Sequence, residues 1–280
     1  MSRQIMSVPE LREKSEVLAR RMYEMCVAAG TGHISSSLSC MDILTVLYYV
    51  VLNHDPEHPD DPERDRFILS KGQASPGLYT VLADCEYFPP EWMAEFAKPN
   101  AHFGVHLQNT VPGVEMSTGS LGMGLGIAAG MALGLKLKRA LPMVYCLLGD
   151  AECYEGSVWE AAMFASHNRL TNLVAIVDRN ALGATDFTES MCKLDPLEDK
   201  FAAFGWSVER MSGHDIPDLV DQLDVRLRGR RTVGPTMVIC DTVKGRGVPY
   251  MENAPLWHSR VPVNKTLIEY GRSGLEGGTL

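Results

Sequence analysis

The sequence predicts an α/β protein: a doubly wound parallel sheet with helices on both faces. Two apolar runs of strand length, 144–148 and 173–177, each stop abruptly, the first at Gly149 and Asp150, the second at Asp178, Arg179 and Asn180. The segment between them, 156–165, has helical composition, so the stretch reads strand, helix, strand, a right-handed βαβ unit of a parallel sheet. A chain of 280 residues is also long enough to bury a substantial core, commonly as one α/β domain.

Each element follows from local signals. Ser7 ahead of Val8, Pro9 and Glu10 predicts a helix start, with Leu11, Leu18, Met22 and Met25 on one stripe. Gly30, Thr31 and Gly32 end that helix and present His33 beside Ser35, Ser36, Ser37 and Ser39. Ser39 and Asp42 have the spacing of a capping box for an apolar, buried helix over 41–52. Residues 53–65, rich in proline and acids, predict an exposed loop. A short strand over 66–70 then feeds Lys71 and Gln73 into a strand-to-helix turn, a usual place for ligand contacts. Residues 88–109 read as irregular, and pattern alone does not place His102 and His106.

Further on, Gly122, Gly126, Gly130 and Gly134 predict a bare helix stripe suited to close packing. The amides of Gly119, Ser120 and Leu121 at that helix start can bond anionic or polar ligand atoms. Residues 204–211 predict a strand, 216–228 an amphipathic helix with basic residues toward its end, and 236–243 a buried strand that hands Lys244 to the sheet edge. The tail over 271–280 reads as too glycine-rich to fold, leaving 1–270 as the domain.

Composition excludes several classes. A net charge of -9 argues against a nucleic-acid or anionic-membrane surface, which needs a basic face. The start is charged and helical in pattern rather than a signal peptide, and the longest apolar segment, 121–135, is shorter than a membrane span. Seven scattered cysteines without a CxxC pair fit a reducing, cytoplasmic setting rather than a disulfide or zinc scaffold.

In the βαβ unit, Asp150 and Asn180 fall at the carboxyl ends of neighbouring strands, where open α/β sheets bind ligands. One anionic and one neutral oxygen donor suit Mg²⁺ shared with a polyphosphate. Asp and Asn after buried strands are also common turn formers, and both readings stand at this point. There is no GxGxxG after the first strand, no Walker lysine and no convincing Ser-His-Asp order.

The stretch GDAECYEGSVWEAAMFAS followed by NLVAIVDRN resembles the thiamine-diphosphate motif, which opens with GDG and closes in Asn, and is similar to the amino-terminal segment of transketolases. The resemblance runs from GTGHISSS to KGRG and WHS. It implies a thiamine-diphosphate-binding (PP) domain in which Asp150, Asn180 and the carbonyl of Leu182 hold Mg²⁺ or Ca²⁺. It further implies that Ser36, Gly119, Ser120, Leu121, Ala151, Glu155, Lys244 and His258 touch the cofactor, and that His33, Gln73 and His258 reach a sugar. His33, His106 and His258 are then the catalytic histidines of two-carbon ketol transfer from a ketose to an aldehyde. The glutamate that activates the aminopyrimidine comes from a further domain in this family. A separate pyrimidine-binding, carboxy-terminal transketolase-like subunit is therefore expected, in an α2β2 heterotetramer.

Three departures bear on substrate rather than cofactor: Gln73 where the family has His, Ala151 for the second glycine of GDG, and Ser259 in WHS for WHG. Glutamine can donate and accept hydrogen bonds but carries no proton near neutral pH. Half of another thiamine diphosphate enzyme, of deoxyxylulose-phosphate-synthase or secondary-metabolism type, and a non-catalytic scaffold role remain as alternatives.

Overall fold

The computed structural model describes residues 6–224 and 233–277. Its centre is a five-stranded, wholly parallel sheet in the order β1-β2-β3-β5-β4. The strands are β1 Arg66–Leu69, β2 Val144–Gly149, β3 Leu173–Arg179, β4 Ser207–Ser212 and β5 Thr236–Asp241. Alternation along the strands divides the core. Phe67, Leu69, Tyr145, Leu147, Val174, Ile176, Val238 and Cys240 face one apolar cluster. Ile68, Val144, Cys146, Leu148, Ala175, Val177, Met237 and Ile239 face the other. Burial on both faces is why β2 and β3 read as continuous apolar runs.

The first cluster lies under α1 Val8–Ala29, α2 Ile34–Leu38, α3 Met41–Val46 and α4 Ser75–Asp84; the second lies under α5 Gly124–Leu137 and α6 Gly156–His167. Helix α1 begins as the sequence predicts, with a capping box between Ser7 and Glu10, and ends at Gly30 in the left-handed region (φ 65°). The predicted stripe of Leu11, Leu18, Met22 and Met25 is buried. The remaining helices are α7 Thr188–Met191, α8 Leu197–Ala203, α9 Ile216–Leu223 and α10 Lys265–Glu276. All seven cysteines are free, and no helix among the described residues is long and apolar enough to cross a membrane.

Several expectations are corrected. The helix over 41–52 keeps α geometry only to Val46 and continues as a π turn over Leu47–Val51. Its capping box does not form: Ser39 Oγ donates to Asp178 Oδ2 instead (2.6 Å), and Asp42 accepts from Ser15 (2.5 Å). The fourth strand begins at Ser207, because Gly205 (φ 87°) turns the chain out of α8 first. The basic end foreseen for the helix over 216–228 lies outside the described residues beyond Asp224.

The glycine stripe packs less than predicted. Gly122 precedes α5, Gly126 only grazes Ala161, and Gly130 and Gly134 face open space. The tail over 271–280 is the largest correction, since α10 runs through Gly271 to Glu276. A Cβ on Gly271 would strike the Tyr23 hydroxyl, and one on Gly274 would strike the Gly247 carbonyl and Pro249. Those glycines serve close helix packing rather than disorder. Residues 278–280 lie outside the described residues.

Candidate functional site

The carboxyl ends of the strands open on a cavity of about 200 Å³ lined by Ser36, Lys71, Gln73, Leu121, Gly149, Asp150, Ala151, Glu152, Asn180, Leu182, Lys244 and His258 among others. A larger surface groove, about 880 Å³, runs along α1 and α4. Of its charged groups Arg21 pairs with Asp84, Arg20 donates to the Leu275 carbonyl and Glu24 pairs with Arg272, whereas the smaller cavity gathers the chemistry.

Parallel pairing puts Gly149 opposite Asp178, so Asp150 and Asn180 emerge side by side. Asp150 Oδ1 accepts from the Ala151 amide (2.7 Å); its Oδ2 accepts from the Ala181 amide (2.6 Å) and from Arg179 Nη1 (3.0 Å). Burial and the neighbouring Asp178 carboxylate push the Asp150 carboxyl above its ordinary range, against the pull of Arg179. Asn180 Oδ1 accepts from the Leu182 amide (3.1 Å) and its Nδ2 donates to Asp178 Oδ2 (3.1 Å). Both residues therefore shape their turns and also line the cavity. Between them Ala181 is held at φ 62°, a conformation that costs an L residue about 1 kcal/mol and that brings its amide onto Asp150.

Under this turn lies a buried polar network. Asp178 accepts from Lys71, Ser39, Thr242 and Asn180. Burial favours loss of the Lys71 charge, but Asp178 outweighs it and holds the ammonium above its usual range. Lys71 also donates to the Ser36 carbonyl (2.9 Å), so this lysine is spent on structure. Glu152 accepts from Ser70, from the Gly122 amide (2.8 Å) and from the Gly149 amide (3.0 Å).

On the opposite wall, Lys244 Nζ donates to the carbonyls of Leu182 (3.2 Å) and Gly183 (3.4 Å) and lies 3.0 Å from His258 Nδ1. Burial pushes Lys244 down to about 8. The His33 ring stands 5.6 Å from His258 and 5.8 Å from His106, each edge-on. Burial, then neighbouring positive charge and imidazoles, pushes His33 and His258 down to about 4, so both are neutral near pH 7. Gln73 Nε2 donates to the Gly119 carbonyl (3.1 Å), which fixes the amide and leaves Oε1 without a partner.

Thus Asp150, Asn180, Leu182, Ala151, Ser36, Leu121, Lys244, His258 and Gln73 share one cavity, with His33 and then His106 ranged edge-on beyond His258. Other expected residues fall elsewhere. Ser120 is exposed, and Gly119 (φ 148°) contributes its carbonyl to Gln73 while its missing Cβ makes room for the His106 ring. The turn is not a helix start, because α5 opens later and the amides of Gly122 and Gly124 are taken by Glu152 and Ser70. Glu155 is exposed and absent from the lining: the chain leaves the 3-10 turn Ala151–Tyr154 extended at Glu155 and turns its side chain toward Gly122. Ala151 has negative φ, as its substitution for glycine requires. His102 stacks on Trp92, away from the site.

Sequence reasoning missed Arg179, Asp178 and Glu152. The first two looked like turn residues, and only the buried acids after β2 and the basic residue after β1 hinted at internal pairing. The oxygen donors Asp150, Asn180 and Leu182 fit a hard divalent cation, and the unpartnered His33 Nδ1 and Gln73 Oε1 leave polar capacity for a ligand.

Residues 14–261 match the family described as "Transketolase, thiamine diphosphate binding domain". The chain is 38% identical over 260 residues to an apulose-4-phosphate transketolase subunit of Actinobacillus succinogenes, covering 92% of this chain and 93% of that one. It is 37% identical to "6-deoxy-6-sulfo-D-fructose transketolase subunit SqwG" of a Clostridium species, covering 89% and 90% respectively. Among solved structures, transketolase from Campylobacter jejuni superposes with a TM-score of 0.88 at 26% identity. The match covers 97% of this chain and 43% of that one, so the chain spans less than half the length of that enzyme.

Proposed function

Because the chain belongs to the transketolase family, as its thiamine diphosphate binding part, we propose that it is the diphosphate-binding subunit of a two-subunit transketolase. It would hold thiamine diphosphate and Mg²⁺ and pass a two-carbon ketol unit from a ketose, phosphorylated or otherwise anionic, to an aldehyde. The observation that carries this reading is the convergence of Asp150, Asn180, Leu182 and Lys244 on one cavity at the strand ends.

In this reading Asp150, Asn180 and the Leu182 carbonyl hold the divalent ion, and Lys244 and Ser36 bind diphosphate oxygens. Bound thiamine diphosphate supplies the thiazolium nucleophile on which the carbon–carbon bond of the ketose is broken. The chain's own part is proton handling and orientation. His33 and His258, neutral near pH 7, can take a proton from a sugar hydroxyl or donate N–H to a developing oxyanion. His106 buttresses His33, and Gln73 Oε1 accepts from a sugar hydroxyl.

The partner is a carboxy-terminal transketolase-like subunit bearing the pyrimidine-binding domain, in an α2β2 assembly in the cytoplasm. Support comes from relatives of nearly this chain's length that are named as subunits. Those names also put ketose phosphates and sulfo-sugars at the head of the substrate search. The test is reconstitution: the purified chain alone is expected to turn over no ketose, and addition of the partner should restore transfer dependent on thiamine diphosphate and Mg²⁺. Robust turnover by the chain alone would overturn the two-subunit reading.

A further inference from the structure

His214 is absent from the cavity lining, yet it holds the strand end from which Lys244 enters. It sits in the turn between β4 and α9, beside the end of β5, because those strands pair in parallel with Ser212 opposite Asp241. The Val243 amide lies 2.9 Å from His214 Nε2, and Asp42 Oδ2 lies 2.8 Å from Nδ1. An amide N–H can only donate, so Nε2 is the acceptor and the ring proton sits on Nδ1, donating to Asp42. Asp42, on α3, is fixed in turn: its Oδ1 accepts from Ser15 of α1 (2.5 Å), and Arg246 Nη1 stands 3.8 Å from its Oδ2. The His214 and Asp42 side chains are 10% and 11% exposed, so the packed surroundings leave the ring little freedom to turn.

Val243 immediately precedes Lys244. Beyond the lysine the backbone is held by main-chain groups: the Gly245 amide donates to the Ser35 carbonyl (3.0 Å), and the Lys244 carbonyl accepts from the Asn253 amide (2.9 Å). Ahead of the lysine a side chain does the holding, and it is His214. A functional side chain is placed only as well as the groups that lock its backbone. Lys244 is a demanding case, because it is 3% exposed and its Nζ fits between the Leu182 and Gly183 carbonyls and the His258 ring. A shift at Val243 would move the root of that side chain against walls that leave it little room to follow.

Resting on the cofactor reading above, we infer that His214, oriented by Asp42, is a positioning residue that sets Lys244 for the diphosphate by holding the Val243 amide. It acts through a single N–H···N bond. Its removal therefore lowers affinity for the diphosphate only while Lys244 is there to be misplaced.

Two measurements on the full chain test this. The first needs no variant, so it stands even if a substituted chain does not fold. In ¹⁵N-labelled wild type, a nitrogen–nitrogen coupling across the hydrogen bond is expected between the Val243 amide and His214 Nε2. A resolved Val243 amide without that coupling, or a His214 ring protonated on Nε2 instead of Nδ1, would overturn the inference. The second is calorimetric affinity for thiamine diphosphate in saturating Mg²⁺. His214→Phe keeps a ring but has no lone pair for the amide, and should weaken binding about tenfold, the size of one charge-assisted hydrogen bond. His214→Gln can offer its carbonyl oxygen to the same amide and should stay within about threefold of wild type. In a Lys244→Met background, His214→Phe should cost less than about twofold further. No loss in His214→Phe, or equal losses in the Phe and Gln variants, would overturn the inference. A full tenfold loss in the Lys244→Met background would mark His214 as merely structural and overturn it as well. A wild type that shows the coupling but takes up no thiamine diphosphate would overturn the cofactor reading itself, a distinguishable result.

Discussion

Lys71→Met removes the ammonium that pairs with Asp178 beneath the cavity. The two side chains are 7% and 0% exposed, so the change strands a carboxylate away from solvent. Removing one partner of a buried ion pair typically costs 3–5 kcal/mol. Asp178 keeps three other donors, Ser39, Thr242 and the Asn180 carboxamide, which places the loss near the lower end, about 3 kcal/mol. The Ser36 carbonyl loses one hydrogen bond as well, at about 1 kcal/mol, while keeping the one from the Ser39 hydroxyl (3.1 Å). Urea unfolding should report the sum, about 4 kcal/mol. The double variant Lys71→Met with Asp178→Asn no longer buries an unpaired charge and should recover at least about 1.5 kcal/mol relative to additivity. A loss below about 1 kcal/mol for the single variant, or strict additivity in the double, would refute the claim that this pair anchors the cavity floor.

Other changes probe other parts of the account. Gly274→Ala would gain about 1 kcal/mol of helix propensity if its surroundings were a free tail, but its Cβ meets a backbone carbonyl and Pro249. The net expectation is a loss of about 1–3 kcal/mol in thermal unfolding, and a gain would show that α10 does not pack as described. His33 and His258 are depressed from 6.5 to about 4 in the folded chain. In acid the unfolded state therefore binds their protons first, and the stability present above pH 6.5 declines as pH falls toward about 4. Urea midpoints at pH 7 and pH 5 should differ in the wild type and converge in a His33→Asn, His258→Asn double variant; an equal difference in both would contradict the assignment. Gln73→His should change the ranking of ketose donors by kcat/KM while leaving thiamine diphosphate affinity within about twofold. Identical donor ranking would remove Gln73 from substrate recognition.

What the sequence made legible was local or periodic. Ser7 and Glu10 cap α1 as their spacing requires, and Asp150 and Asn180 follow their strands because apolar runs buried on both faces must end where polar turns begin. Lys244 was placed by the same rule after β5. What stayed hidden depends on distant parts of the chain. Ser39 had the spacing of a cap, but Asp178, far along the sequence, offers its hydroxyl a stronger acceptor. Gly271 and Gly274 raised the glycine content of the terminus, yet each is set by a neighbour from elsewhere, Tyr23 and Gly247. Glu155 and Glu152 lie three apart, and no spacing rule says which one the 3-10 turn buries. Arg179 next to Asn180 read as part of a turn because its four acceptors come from three separate segments.

The central claim is that Asp150, Asn180 and the Leu182 carbonyl hold one divalent ion that also grips the diphosphate. Pulsed electron paramagnetic resonance on the chain loaded with Mn²⁺ and thiamine diphosphate tests it most directly, since only phosphorus bonded to a metal-bound oxygen gives a strong phosphorus coupling. The account predicts that coupling in the wild type and its loss in Asp150→Ala and Asn180→Ala. Bound Mn²⁺ without phosphorus coupling, or coupling that survives both substitutions, would contradict it.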